Sequence, residues 1–289
     1  MSDTSYPLLS AVTAVRNAIA TGNRDALVRC VESVAALKTP HEHLIFDGAS
    51  TDGTVALLRE LEKRTPNLHV VSEPDTGIYN ALNKGVRDAK GEWFYVLGID
   101  DYICHPEVLD RILSNVSPRT HIVATPVERD DPKRCPFFRR KTDLSVIFRG
   151  TPCCHQGEIV RTTTMRSLGG FDERYSIAAD TDLFLRAHNS GCCFSYEFTV
   201  FANYGCGGIS EVHLQKAKAE FFTAVGQLLH LTDKQIARLR HRDILPLFTN
   251  LRLLFHRDAA FRIGARRHFR SLLRRIKGKT ISLLVRRHP

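Results

Sequence analysis

Apolar residues run almost unbroken from Leu8 to Val15 and stop near Asn17, the pattern of a strand buried on both faces of a parallel sheet. Thr21-Gly-Asn-Arg-Asp then opens a stretch in which Ala26, Leu27, Cys30, Val31, Val34 and Leu37 recur at helical spacing, and Pro40 closes it. The alternation continues with a short strand at His43–Phe46 ending in Asp47, a helix over Gly53–Arg64 and a strand at Leu68–Val71. A helix over Ile78–Ala89 ends at Gly91, and Trp93–Leu97 reads as a fourth strand. Strands alternating with helices predict right-handed βαβ units, and so an α/β fold with a doubly wound, mostly parallel sheet flanked by helices.

Such a sheet binds its ligands beyond the carboxyl ends of its strands. Acidic residues collect there: Asp47 closes the second strand, Asp75 follows the third, and Asp100 with Asp101 follows the fourth. Aspartate also caps helices and starts turns, which explains one or two of these positions better than it explains four. Within Asp47-Gly-Ala-Ser-Thr-Asp-Gly-Thr54 the small residues let backbone approach a ligand, and Ser50 or Asp52 can cap the following helix. Asp47 can accept hydrogen bonds from a nucleobase edge. Taken alone, the segment also reads as a plain strand-to-helix turn.

Composition adds bounds. At 289 residues, with 43% hydrophobic and 25% charged, the chain suits one large α/β domain with an appendage or two modest domains, and it is not disordered. It has no apolar run of about 18 residues, and Met1–Pro7 lacks a basic, apolar secretory start, so the expected setting is cytoplasmic. Its eight cysteines contain no Cys-x-x-Cys pair and read as reduced thiols rather than zinc ligands. Charge is divided: residues 234–289 carry 16 Lys or Arg against Asp243 and Asp258, a net of +14. Residues 1–233 carry 25 basic against 29 acidic, a net of −4, which leaves +10 for the whole chain.

Five segments in order resemble the family 2 glycosyltransferases over roughly residues 5–212. They are Leu9-Ser-Ala-Val-Thr-Ala-Val-Arg-Asn17, the Asp47–Thr54 segment, Ser72-Glu-Pro-Asp-Thr-Gly-Ile-Tyr-Asn-Ala-Leu-Asn-Lys-Gly85, Ala89-Lys-Gly-Glu-Trp-Phe-Tyr-Val-Leu-Gly-Ile-Asp-Asp101, and Gly169-Gly-Phe-Asp-Glu-Arg-Tyr175 with Ala178-Ala-Asp-Thr-Asp182. The Glu-Pro-Asp-Thr-Gly-Ile-Tyr variant is similar to the branch that builds bacterial surface polysaccharides.

The resemblance implies a GT-A fold in residues 1–212, with a nucleotide-binding half at 1–102, an acceptor half at 103–212, and a helical, basic extension at 213–289. It implies that Asp47 contacts the base and that the turn Thr13, Ala14, Val15, Arg16 wraps base and ribose. Asp75 and Lys84 would lie beside the ribose or diphosphate. Asp100 and Asp101 match the metal-site motif, where Mg²⁺ or Mn²⁺ bridges two phosphates and neutralises the leaving diphosphate. Asp100 would also meet the nucleotide. Gly98 occupies the first acidic position of the commonest pattern, Asp-Ala-Asp-Asp, which puts one ribose or metal contact in question.

Asp180 matches the catalytic base, the carboxylate that takes the acceptor hydroxyl's proton in an inverting displacement. Its plainer role would be a charge favouring a helix N-terminus. Asp182 lies two residues on, about 200° around a helix, and would support local structure. His155, before a strand, offers a bond to a phosphate or sugar hydroxyl of donor or acceptor, and a lone histidine is also often structural. Trp93 reads as core.

From about Ala259, Phe261, Ala265, Phe269, Leu272, Leu273 and Ile276 fall on one helical face, with Arg262, Arg266, Arg267, Arg270, Arg274, Arg275 and Lys277 around the rest. That pattern predicts a helix in an anionic membrane interface, hence a peripheral enzyme on the cytoplasmic face. Nucleic acid is not expected as a partner, since no nucleic-acid motif accompanies the charge. Packing of this face on the catalytic domain is the alternative. The stretch Val127–Arg140, with three prolines, reads as a loop.

The expected function is transfer of a sugar from a nucleotide-sugar, UDP favoured, to a lipid-linked saccharide. A non-catalytic sugar-nucleotide binder is kept open by Gly98. A nucleotidyltransferase is disfavoured, because Leu9–Asn17 has no glycine for a phosphate loop.

Overall fold

A computed structural model describes residues 8–129, 147–148, 154–205, 207–242, 245–256, 261–270 and 273–274. The first half alternates as the periodicity predicts: β1 (Leu9–Val15), α1 (Arg24–Ala35), β2 (His41–Asp47), α2 (Thr54–Arg64), β3 (Leu68–Ser72), α3 (Ile78–Asp88) and β4 (Trp93–Val96). Short elements follow: β5 (Tyr102–Ile103), α4 (Pro106–Asn115), β6 (Ile122–Ala124), β7 (Glu128–Arg129), β8 (Glu158–Arg161) and α5 (Thr162–Ser167). Then come α6 (Ala179–Ser190), β9 (Phe194–Tyr196), β10 (Ala202–Tyr204), α7 (Ile209–Val212), α8 (Leu214–Leu229), α9 (Asp233–Arg242) and α10 (Leu247–Leu254).

Seven strands make one sheet in the order β3-β2-β1-β4-β8-β6-β9, and β5, β10 and β7 make a small second sheet. β3, β2, β1 and β4 are parallel. β8 runs antiparallel to both its neighbours, β4 and β6. β1 is near-continuously apolar because helices cover both its faces: Leu9 and Ala11 pack with Cys30 and Val34 of α1, while Val12 packs with Leu82 and Val86 of α3. Leu27 of α1 is fully buried, so Leu27→Ala is expected to cost about 2–5 kcal/mol of stability.

The C-terminal helices join this core. Phe221, Ala224, Val225 and Leu229 of α8 pack in one cluster with Leu183 and Phe184 of α6. The helical stretch 261–270 corrects the expectation of a face free to enter a membrane. Phe261 and Ala265 are 0% exposed, and the Phe261 ring lies 5.3 Å from Phe148. A Cβ on Gly264 would come 2.7 Å from Ile147, so the helix can approach this closely only with glycine there. Phe261 and Ala265 thus find partners within the chain, while Leu273, Arg266, Arg270 and Arg274 stay exposed. Leu272, Arg275, Ile276 and Lys277 lie outside the described residues, as does 130–140 of the expected loop; Glu128–Arg129 pair as β7 instead.

Candidate active site

The carboxyl ends of β1, β2 and β3 carry the first group of expected residues. β1 keeps pairing with β2 as far as Val15 opposite Asp47, so Thr13, Ala14 and Val15 belong to the strand and only Arg16 begins the loop. This corrects the expected turn. The Thr13 hydroxyl is buried, donates to the Leu97 carbonyl at 2.8 Å and lies 3.0 Å from His43 Nε2, so it faces away from any ligand. Asp47 is 1% exposed. Its carboxylate accepts from the Ser50 backbone at 3.0 Å, from the Ser72 hydroxyl at 2.7 Å and from the Ser50 hydroxyl, which knots the loop. Arg16 is exposed, and its stem and the Asp75 carboxylate flank Gly48. Asp75 accepts from the Gly77 backbone at 3.0 Å. Lys84 is engaged elsewhere: its ammonium pairs with Glu73 at 2.7 Å and donates to the Pro74 carbonyl at 2.9 Å, which holds the loop that carries Asp75. Of the residues expected on this side, Arg16 and Asp75 keep their side chains at the surface of the loop.

Asp100 and Asp101 follow β4 as expected, in unequal settings. Asp101 is 2% exposed and accepts from the Gly205 backbone at 2.8 Å and the Gly98 backbone at 3.2 Å. Burial, and then the neighbouring Asp100 charge, push its carboxyl up to about 6. Asp100 is half-buried and keeps the more accessible carboxylate. A Cβ at position 98 would lie 2.7 Å from an Asp101 oxygen and 2.9 Å from an Asp100 oxygen, so any side chain there would have to displace the acidic pair. Two adjacent carboxylates, one of them raised mainly by burial and then by its neighbour's charge, suit a hard divalent cation bound by oxygen. Asp100 would hold it, with Asp101 behind. Among the described residues, Cys104, His105 and Glu128 place three potential ligand atoms within 4.8 Å of one another; a thiolate and an imidazole suit a softer ion.

Asp180 is the second residue of α6, near the helix N-terminus. One carboxylate oxygen accepts from the Thr181 backbone at 2.7 Å, and the other lies 3.1 Å from His155 Nδ1. His155 opens a one-turn 3-10 helix, His155–Gly157, before β8. Burial would lower its pKa, but the bond to Asp180 and the charges of Asp180 and Asp101 raise it to about 9. It is therefore an imidazolium at neutral pH, paired with the expected base. Asp182 turns away and binds Arg186 at 2.6 Å, and Arg186 also bonds the Gly170 carbonyl at 2.8 Å. Trp93 is core.

The loop before α6 is held by a residue that sequence reasoning missed. Glu220 of α8 accepts from the backbone of Ser176 at 3.1 Å, Ile177 at 2.8 Å and Ala178 at 3.0 Å, and from the Ser176 hydroxyl at 2.7 Å. α6 has no side-chain cap of its own. A second missed feature is Gly205 and Gly208, which lie against Asp100; three glycines in four positions, 205–208, was the available signal. Asp180 and His155 open onto a cavity of about 540 Å³ that also reaches Ala14, Gly98 and Tyr204.

The sequence model of Glycosyl transferase family 2 matches residues 10–205. A PGL/p-HBAD biosynthesis glycosyltransferase of Mycobacterium bovis is 29% identical over 199 residues, covering 66% of this chain and 76% of that protein. The structure of S. aureus TarS 1-349 in complex with UDP-GlcNAc aligns with a TM-score of 0.59 at 16% identity, over 93% of this chain and 92% of that one. The mannosyltransferase PcManGT from Pyrobaculum calidifontis, in complex with GDP-Man and Mn²⁺, aligns with a TM-score of 0.60 at 18% identity, over 97% and 81%. At these identities the two structures speak to fold, which is that of the GT-A glycosyltransferases.

Proposed function

The chain belongs to glycosyl transferase family 2, and from that premise we propose an inverting transfer from a UDP-sugar to the hydroxyl of a lipid-linked acceptor in surface-polysaccharide assembly. Asp180 takes the acceptor hydroxyl's proton while the oxygen attacks the anomeric carbon. The bond from that carbon to the diphosphate breaks on the opposite side, and the nucleoside diphosphate leaves with the electron pair. Arg16 and Asp75 contact the nucleotide. Asp100, backed by Asp101, would hold Mg²⁺ or Mn²⁺, which supplies charge neutralisation to the leaving diphosphate. TarS with UDP-GlcNAc and PcManGT with GDP-Man and Mn²⁺ support a nucleotide-sugar and a divalent ion for this chain too.

The observation that carries the reading is Asp180 at the start of α6, 3.1 Å from His155 and on the wall of the cavity that reaches Gly98. Peripheral membrane attachment is supported by the net +14 of residues 234–289 and by Phe248 and Phe255 on one side of α10, 86% and 87% exposed. No helix among the described residues is long and apolar enough to cross a membrane.

The test is a thermal-shift titration with UDP, GDP and dTDP, with and without Mn²⁺, followed by turnover of Asp180→Asn. The expected outcome is a metal-dependent rise with UDP, lost in Asp100→Ala, and a fall in turnover of roughly 10²–10⁴-fold in Asp180→Asn. Full turnover in Asp180→Asn would remove it as the base. Donor binding without turnover on any acceptor would favour a non-catalytic binder.

A further inference from the structure

Protein interiors leave few voids larger than a water molecule, so a cavity of about 540 Å³ at the base needs an occupant. Ligand sites run from about 300 to 1,000 Å³, and a cavity of about 150 Å³ is enough for one benzene ring. Most of the lining is apolar: Leu82, Phe94, Met165, Phe171 and Phe221 form its packed floor, and Val96 and Ala217 flank it. Polar side chains share the lining, and most are engaged: Ser176 with Glu220, Gln156 with Asp101 and Tyr204 with Ser210, while Lys218 reaches solvent. Tyr79 donates to the Ile177 carbonyl at 2.6 Å, Arg129 is paired with Glu211, and His155 with Asp180. A saccharide buried here would leave hydroxyls without partners, at a cost of about 1–3 kcal/mol each.

The mouth continues the same chemistry. Ile78, Ile209 and Leu214 line the cavity and are also about half exposed. Single exposed apolar residues are ordinary, but three rimming one apolar opening mark a binding site.

We propose that this cavity is the acceptor subsite and that it takes hydrocarbon: an aryl or alkyl group that bears the accepting hydroxyl directly, or through a single sugar ring, with the hydroxyl turned to Asp180. The inference rests on Asp180 being the base. It narrows the acceptor from any saccharide to one whose apolar part enters the protein beside the reacting oxygen.

The experiment is calorimetric titration of the full chain with n-octyl β-glucoside below its micelle concentration, methyl β-glucoside and 4-octylphenol, alongside the nucleotide thermal shift. Expected is binding of both octyl compounds with a negative heat-capacity change, the mark of apolar burial, and at least tenfold weaker binding of methyl β-glucoside. Ala217→Phe fills the cavity from the half-buried side of α8, and Leu214→Gln changes only the exposed rim; each should weaken octyl binding at least tenfold without altering the UDP shift. Binding of 4-octylphenol alone would point to a hydroxyl carried directly on the hydrocarbon, and binding of octyl glucoside alone to an intervening sugar. Equal affinity for methyl and octyl glucoside, or octyl binding unchanged in both variants, overturns the proposal. Octyl binding with no response to any nucleotide would instead overturn the transferase mechanism and leave the hydrocarbon site standing.

Discussion

His43 lies 3.0 Å from the Thr13 hydroxyl, whose one proton goes to the Leu97 carbonyl, so the imidazole must donate through Nε2 and leave Nδ1 bare. Burial, with His41 adding to it, lowers its pKa from 6.5 to about 3. Between those values the unfolded chain binds a proton that the folded chain refuses. Stability therefore rises with pH across this window, by up to about 1.4 kcal/mol per unit. Melting temperature should fall as pH drops from 6.5 toward 5, and His43→Asn should flatten that slope; an equal slope in the variant would clear His43. His155 has the opposite sign, because its pKa is raised to about 9. Its contribution is complete below the unfolded value of about 6.5 and disappears as pH climbs through 9. The side chain is about a third exposed, so solvent screens the pair, and position rather than stability is where it acts. Turnover should show an alkaline fall near pH 9. His155→Asn keeps a donor without the charge; it should lack that fall and sit lower by up to roughly 10²-fold, the scale of a misplaced reacting group. An unchanged alkaline limb in the variant would assign it to another residue.

At the scale of elements, α6 depends on α8. The loop that leads into α6 brings three backbone donors together, those of Ser176, Ile177 and Ala178, and buried donors need acceptors. Glu220 supplies acceptors from 42 to 44 residues away. Burial opposes its ionisation, yet the bonds from Ser176, Ile177 and Ala178 hold its carboxyl below the usual range. Glu220→Ala should cost about 1–3 kcal/mol of stability, the scale of leaving backbone donors without their acceptor. It should also lower kcat by roughly 10- to 10²-fold while the KM for donor stays unchanged, because the loop it holds leads into Asp180 and not into the nucleotide site. A rise in donor KM equal to the loss in kcat would mean that the whole sheet edge had shifted. The contact also explains what the sequence conceals. The long apolar run of β1, and short apolar runs alternating with helical periods, announced β1 through β4 and placed Asp47, Asp100 and Asp101 at the right strand ends. Strands of two to four residues, such as β5, β7 and β8, leave no period to read. The antiparallel setting of β8 and the reach of Glu220 are products of tertiary packing. Lys84 was legible as a loop-side cation, but nothing local revealed that Glu73 would neutralise it.

At the scale of the molecule, the charge division survives folding in altered form. Phe261 and Ala265 are covered by the chain, so they are not available to a membrane, yet Arg266, Arg270 and Arg274 remain outside. The most exposed apolar groups among the described residues of this part are Phe248 and Phe255, seven residues apart on α10 and its C-terminal flank, with Arg252 between them exposed. Burying a phenylalanine is worth about 1.5–3 kcal/mol, and each basic residue near an anionic surface about 1 kcal/mol, so neither term alone gives firm attachment. Together they predict binding that needs both anionic lipid and the two rings. The full chain should co-sediment with phosphatidylcholine vesicles containing phosphatidylglycerol and be released as salt rises. Phe248→Ser with Phe255→Ser should abolish that binding while the UDP thermal shift is kept, since neither ring touches the core or the cavity. Retained binding in the double variant would assign the attachment to charge alone. Equal binding to vesicles without phosphatidylglycerol would remove the basic extension from the account. If both terms are required, an acceptor with a hydrocarbon part would meet the enzyme at the surface where such molecules concentrate, and the apolar cavity beside Asp180 and the rings on α10 would serve the same substrate.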